Sequence, residues 1–530
     1  MSNYSIEEII SMITAIRSEN ANERLHSLAN LHVIARVLGP KRTINELIPY
    51  TMETTDHDET ALKMIAKELA IMLDVVGGPS NVQTLIDALK LICENEDFDV
   101  RNAATDSVVQ IGKLLTESDF NTKFPSFFRK LIKDKWYPLR CSGVMIICQL
   151  YNKISQESKQ KFNKYLQRIC TDENVIVRRT FCQYISYLIQ NQCPFEIISK
   201  ILTALSKDKA PAVTIEIPPI LTFLPSNETQ LKIDISKAIM QTKIWQAKSV
   251  LVSHIDSIFK GNAPKSFIKD IIQQSSVEKL SAIRASTALQ IPYVYSIQCF
   301  NSDGFKRLIN GLANDIDFNV RKSIAESIGR IKNGPDDLIN STLAALLGDK
   351  DLIVKMAALK TVSHTGKAIK PAAKNLTNLI KLSDWRVKKG IALLLPEVAK
   401  TTKETKFNRK FLPIVKSLLK DDASEVRNST VKGLSELTAH FGGKWIKANV
   451  IPMISHLFAK HDYLLRETAI IAIVELNLCD RMNDILKKAA KDPVPNVRLV
   501  LARTVPSGSN ILEQLKADED PDVVYFATHK

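Results

Sequence analysis

The feature that most restricts this chain is a short pattern that keeps returning. A polar or acidic turn is followed by a β-branched or small apolar residue, then a basic residue that opens an apolar-periodic helix. It reads DFDVRNAATDSVVQIG at 97–112, WYPLRCSGVMIICQL at 136–150 and ENVIVRRTFCQYI at 173–185. It returns as DFNVRKSIAESIGRI at 317–331, DDASEVRNSTVKGLSEL at 421–437, HDYLLRETAIIAIVEL at 461–476 and DPVPNVRLVLARTV at 492–505. The basic residues set the period. Arg24, Lys63, Arg101, Arg140 and Arg178 are separated by 39, 38, 39 and 38 residues. Lys248, Arg284, Arg321, Lys355, Lys388, Arg427, Arg466 and Arg498 continue the series. The 70 residues from Arg178 to Lys248 leave room for a degenerate copy at KAPAVTIEI (209–217), and DEDPDVVYFAT (518–528) is a final copy without its basic residue. The total is fifteen repeats.

A period of about 33–39 residues holding two helices and a polar turn is the signature of an α-solenoid. The first helix of each repeat precedes the marker, as in NVQTLIDALKLICEN (81–95), and the second follows it. In repeat eleven, Val387, Ile391, Leu394, Leu395 and Val398 give the second helix one apolar face,. Trp385 and Arg386 stand just ahead of that face, at the turn. Pro40, Pro79, Pro125, Pro264, Pro371, Pro493 and Pro521 are expected at helix boundaries,. Pro218 and Pro219 fall where the second helix of repeat six should run, which predicts an irregular repeat,. The recurring Asp can cap orphan N–H groups at a helix start, and each repeat's Arg can reach the turn carboxylate of the next repeat, forming a ladder. Both roles are structural. The expected fold is all-α, a single continuous α-solenoid superhelix over residues 1–530.

Composition narrows the function. With 530 residues the chain exceeds one ordinary globular core,. No apolar run approaches the ~18–20 residues needed to span a bilayer, and MSNYSIEEII lacks a basic stretch followed by an apolar one, so neither a membrane span nor a signal peptide is expected,. The eight cysteines are scattered without a CxxC, which argues against zinc or a disulfide framework and for the cytosol, with the nucleus as a second location,. The net charge of +15 is unevenly placed. Residues 1–120 carry 10 basic against 19 acidic side chains, and residues 351–450 carry 20 against 8. Different partners at the two ends are the expectation. No phosphate-binding glycine loop, HExxH or GxSxG occurs, and the nine histidines make no i, i+4 ligand pair,. Solenoids present surfaces, so a non-enzymatic binding protein without metal or cofactor is expected.

Several repeat-specific motifs make the chain resemble the scaffold (A, 65-kDa regulatory) subunits of protein phosphatase 2A, which are built of HEAT repeats. They include IARVLGPKRTINELIPY (34–50), VVGGP (75–79), KDKWYPLRCSGV (133–144), VRRTF (177–181) and LSDWRVKKGIALLLPEVA (382–399). They continue with AHFGGKWIKANVIPMI (439–454), HDYLLRETA (461–469), KDPVPNVRLVLA (491–502) and DPDVVYFA (520–527). The resemblance implies a horseshoe of stacked repeats whose intra-repeat turns line one ridge. It implies a phosphatase catalytic subunit docked at Trp385, Arg386, Tyr463, Leu464, Asp492, Val494 and Asn496, within repeats eleven to fifteen (381–530). For a variable regulatory (B-type) subunit it implies Trp136, Val175, Arg178, Arg179 and Trp245, within repeats one to eight (1–300), of which six to eight match least well. Repeats nine and ten (301–380) then connect the two ends. Three of the four tryptophans share one place in their repeats, whereas Trp445 is expected to pack. The competing expectation is a different HEAT-repeat binder, transport-receptor-like or nucleic-acid-binding, using the basic 351–450 segment. Basic charge without interleaved aromatics disfavours nucleic acid.

Overall fold

Helical pairs follow one another along the whole chain because each repeat offers two amphipathic segments that can bury their apolar faces only against each other and against neighbouring repeats,. The computed structural model describes residues 5–54, 58–382 and 384–530; Ser383 and the first four residues of MSNYSIEEII lie outside them, as does one of the nine histidines, His57. Among the described residues there are helices and turns and no strand. The helices form two compact units, Met1–Ala263 with repeats one to seven and Pro264–Lys530 with repeats eight to fifteen.

Within each unit, second helices pack on second helices of the next repeat. Tyr137–Leu150 lies on Val175–Gln190, and Trp385–Lys400 lies on Ser424–Phe441. First helices cover them from the other side, as Val82–Cys93 covers Phe98–Leu114. The core is aliphatic with aromatic inserts. Phe120, Phe124 and Phe128 on the first helix of repeat four are fully buried against one another.

Proline explains the departures from regularity. The second helix of repeat six is broken into Pro211–Thr214 and Ile217–Leu221, the second piece carrying Pro218 and Pro219. Repeats two and thirteen share a device: Gly39 and Gly442 adopt positive φ (76° and 82°), and a wide π-turn, Thr43–Leu47 or Ile446–Val450, leads into Ile-Pro. Pro49 and Pro452 lack the N–H that would continue the ladder of α-helical bonds,. Pro125, expected at a boundary, instead lies inside the helix Glu117–Ile132. The aromatic face of that helix is buried on both sides of the proline, and its packing outweighs the lost backbone bond,. Trp445 is buried, and its indole N–H donates to Asn408 Oδ1 at 2.8 Å.

Candidate docking surface on the first turns of the second helices

The marker arginine clamps two turns at once. In repeat four, Arg140 Nη1 donates to the carbonyls of Asp134 and Lys135 in its own turn, while Nε and Nη2 grip Asp172 of the next turn at 2.9 and 2.8 Å. Arg178 repeats this with Asp208 at 2.6 and 3.1 Å. In the second unit the paired rungs are Arg284–Asp315, Arg321–Asp349, Arg466–Asp492 and Arg498–Asp518, with Nε–Oδ2 distances of 2.6, 2.7, 2.7 and 2.7 Å. Lys388 reaches Asp421 at 2.7 Å with a single bond. Fork-to-fork pairing of this kind is the strong, directional form of a salt bridge. Each rung Asp also accepts the N–H two residues on, as Asp492 does from Val494 and Asp315 from Asp317, both at 2.9 Å.

Two aspartates therefore share the work that the sequence assigned to one. The rung Asp ties repeat to repeat. A second, two residues later, caps the helix, as Asp317 and Asp520 do after the rungs Asp315 and Asp518; Asp384 and Asp462 cap their helices in the same way where the rung position holds Leu382 and Lys460. One rung is replaced. Arg101 keeps its own turn carbonyls of Asn95 and Glu96, and its guanidinium lies 5.3 Å from the centre of the Trp136 ring,.

This framework leaves the residue three positions before each marker on the first turn, outside the core. Trp385 and Tyr463 occupy that position and are each 37% exposed. The guanidinium of Arg386 lies 4.9 Å from the Trp385 ring centre and also contacts Asp384. Leu464 and Val494 are half-buried, and Asn496 is exposed. Asp492 stands apart: it is 6% exposed, and both carboxylate oxygens are taken by Arg466, so it is placed as a rung rather than a surface contact.

The first unit repeats the arrangement. Trp245 is 41% exposed at the start of Trp245–Ser253, and Val175 is exposed at the start of Val175–Gln190. Trp136 sits one position earlier, at the cap of Tyr137–Leu150, half-buried under Arg101. Arg178 is spent in its rung, whereas Arg179 is exposed and pairs with Glu216 at 3.0 Å. Sequence reasoning passed over Phe98 and Phe318. Both hold the same register as Trp385, three residues before the marker, and Phe98 is 64% exposed. Counting back from each basic residue finds them.

Among the described residues no group of three or more His, Cys, Asp or Glu is placed to hold a metal ion, and no helix is long and apolar enough to cross a membrane. Burial pushes the Cys93 and Cys170 thiols up to about 12, so both stay protonated near neutrality,.

No family model matches the chain. Curated proteins do. It is 25% identical over 272 residues to the A-type regulatory subunit of protein phosphatase PP2A from Schizosaccharomyces pombe, covering 49% of this chain and 46% of that one. It is 30% identical over 171 residues to the alpha isoform of the A-type 65 kDa regulatory subunit of phosphatase 2A from Arabidopsis thaliana, and 30% identical over 172 residues to the protein phosphatase 2A scaffold subunit of Dictyostelium discoideum. Over these stretches the chain is similar in sequence to phosphatase 2A scaffold subunits. The last two matches cover 32% of this chain and 29% and 30% of those relatives, so the matched stretch spans less than half of each of the three. These relatives are named regulatory or scaffold subunits. A chain from a structure of Kap95p with RanGDP superposes with a TM-score of 0.57 at 12% identity, covering 98% of this chain and 73% of that one. Importin beta gives 0.56 at 12% identity, covering 97% and 76%. At that identity the likeness carries the fold, an α-solenoid of HEAT type, and nothing further.

Proposed function

We propose that this chain holds a serine/threonine phosphatase catalytic subunit on the first turns of repeats eleven to fourteen and a variable regulatory subunit on those of repeats four to seven. The observation that carries the reading is Trp385 with Arg386: an exposed indole and a guanidinium stacked together on a turn whose backbone is fixed by a cap. Such pairs make up interface hot spots, which concentrate in Trp, Tyr and Arg. Tyr463, Leu464, Val494 and Asn496 extend the contact, and Trp136, Val175, Arg179 and Trp245 form the second one. Holding both subunits on one frame raises their effective concentration for each other and directs substrate choice without catalysis by the scaffold.

The test is a pull-down and titration of phosphatase 2A catalytic subunit with wild type and with Trp385→Ala/Arg386→Ala. Loss of at least tenfold in affinity with unchanged helical circular dichroism is expected. Wild-type affinity in the double variant rejects the assignment.

A further inference from the structure

The ladder has a rung whose carboxylate the chain does not supply. Where a fork-to-fork rung leads into a repeat with a basic marker, the accepting Asp lies six residues before that marker, at 172, 315, 349 and 492; Asp208 and Asp518 hold the same place in the two repeats without one. Six residues before Arg466 stands Lys460. Its partner from the previous repeat, Arg427, is only 5% exposed and keeps the usual tether to its own turn, donating to the carbonyls of Asp421 and Asp422 at 2.9 Å each. The Nε that elsewhere meets a carboxylate donates to the Thr468 hydroxyl at 2.9 Å. Arg427 Nη2 has no acceptor among the described residues.

The second donor of a rung is also open. Elsewhere the N–H two residues after the rung position donates to the Asp, at 2.9 Å in Val494 and 2.8 Å in Asp351. The corresponding N–H, that of Asp462, has no acceptor among the described residues, and the Asp462 side chain is turned to Leu464 N–H. The surroundings are cationic. Lys416, Lys420 and His456 are exposed beside Lys460, and Lys460, with burial and the two other lysines, holds the His456 imidazole below its usual range. The Glu467 carboxyl, half-buried and pushed up mainly by burial, feels the Arg427 charge, and among the described residues the two form no ion pair within 4 Å.

We propose that this open rung is a receptor for a carboxylate brought from outside: an Asp/Glu segment of the protein docked on repeats eleven to fourteen inserts one side chain between Arg427, Lys460 and the Asp462 N–H. The inference rests on the scaffold reading for the partner's identity, but its chemistry is that of the six intact rungs. A desolvated guanidinium without its counter-charge binds a carboxylate far more strongly than surface lysines do.

The probe is a fluorescein-labelled hexaglutamate peptide titrated into the full chain by anisotropy. Lys460→Asp rebuilds the rung internally, and Lys444→Asp makes the same change in charge at another exposed position. The expected result is at least a tenfold loss of peptide affinity in Lys460→Asp, less than twofold in Lys444→Asp, and slowed exchange of the Asp462 amide when peptide binds wild type. Equal losses in both variants, or no wild-type binding, overturn the proposal. A short RNA duplex that binds more tightly than the peptide and depends on Lys460 also overturns it. Because no phosphatase subunit is present, failure here leaves the Trp385/Arg386 assignment standing, and failure there leaves this result intact.

Discussion

Asp315→Ala removes one rung, and its effect can be worked from the distances. The Asp315 carboxylate accepts from Arg284 Nε at 2.6 Å, from Arg284 Nη2 at 2.8 Å and from the Asp317 N–H at 2.9 Å. Both side chains are close to fully buried. Breaking a buried pair by deleting one partner costs about 3–5 kcal/mol, because the surviving charge stays desolvated. Arg284 still donates to the carbonyls of Glu278 and Lys279, at 2.7 and 2.9 Å, which lowers the expectation to about 2–4 kcal/mol,. Repeats couple only to neighbours, so the loss should be confined to repeats eight and nine and should not appear as one global transition. Hydrogen exchange resolved to the helices Ser281–Leu289 and Phe318–Ser327 measures it as a fall in local opening free energy,. Glu425→Gln, which breaks the exposed Lys389–Glu425 pair at 2.6 Å, serves as the comparison and should cost far less, because solvent screens that pair,. Arg284→Met with Asp315→Leu should recover most of the stability, since apolar replacement of both partners is close to neutral. The reasoning fails if Asp315→Ala costs no more than Glu425→Gln, or if the double variant is as unstable as the two single losses added together.

Three further outcomes follow from the same contacts. The Asp518 carboxyl is held below its usual range by the Arg498 hydrogen bond, against burial, with help from the Asp520 N–H; in Asp315 and Asp349 burial pushes upward but the paired arginines outweigh it. A depressed folded pKa means stability fully present above the unfolded value of about 4 and lost as pH falls through the folded one, so exchange protection should collapse below roughly pH 4, with a shallower profile in Asp518→Asn. Trp445→Ala empties a fully buried site and should cost about 3–5 kcal/mol, read by exchange in repeats twelve and thirteen,. A Cβ on Gly433 would stand 2.8 Å from the Ala392 carbonyl oxygen, so Gly433→Ala should force apart the helices Trp385–Lys400 and Ser424–Phe441 at about 1–3 kcal/mol, while Gly390→Ala, whose nearest contact is 3.5 Å, should be tolerated in the same assay,.

Periodicity made most of this architecture legible. The basic marker located the second helices of all repeats but six and fifteen, and the ladder between Arg and the next turn's carboxylate could be read from spacing because a guanidinium at a helix start reaches one turn in either direction. What stayed hidden was the division of labour between two aspartates, since both lie in the same short turn and only coordinates separate the rung Asp315 from the cap Asp317. Pro125 misled for a different reason: local propensity marks a boundary, but the buried face made by Phe120, Phe124 and Phe128 carries the helix through it,. Phe98 and Phe318 were overlooked because a lone phenylalanine near a helix start reads as core until it is aligned with Trp385 by register.

On the docking proposed for repeats eleven to fourteen, Asp492 would act without touching a partner. Arg466, held by Asp492, clamps the carbonyls of Lys460 and His461 at 3.1 and 2.7 Å, and Asp462 caps the N–H of Leu464 at 2.9 Å. Tyr463 stands between these two fixed points. Ordering a residue costs about 1–2 kcal/mol of backbone entropy, and here folding has already met that cost before a partner arrives. Asp492→Ala should therefore weaken catalytic-subunit binding about tenfold by loosening the turn. A positioning role and a contact role differ in one measurement: positioning requires faster amide exchange at 461–464 in the chain alone, before any partner is added. Weakened binding with unchanged exchange would instead make Asp492 a direct contact, and would mean that the turn holds its shape without the rung.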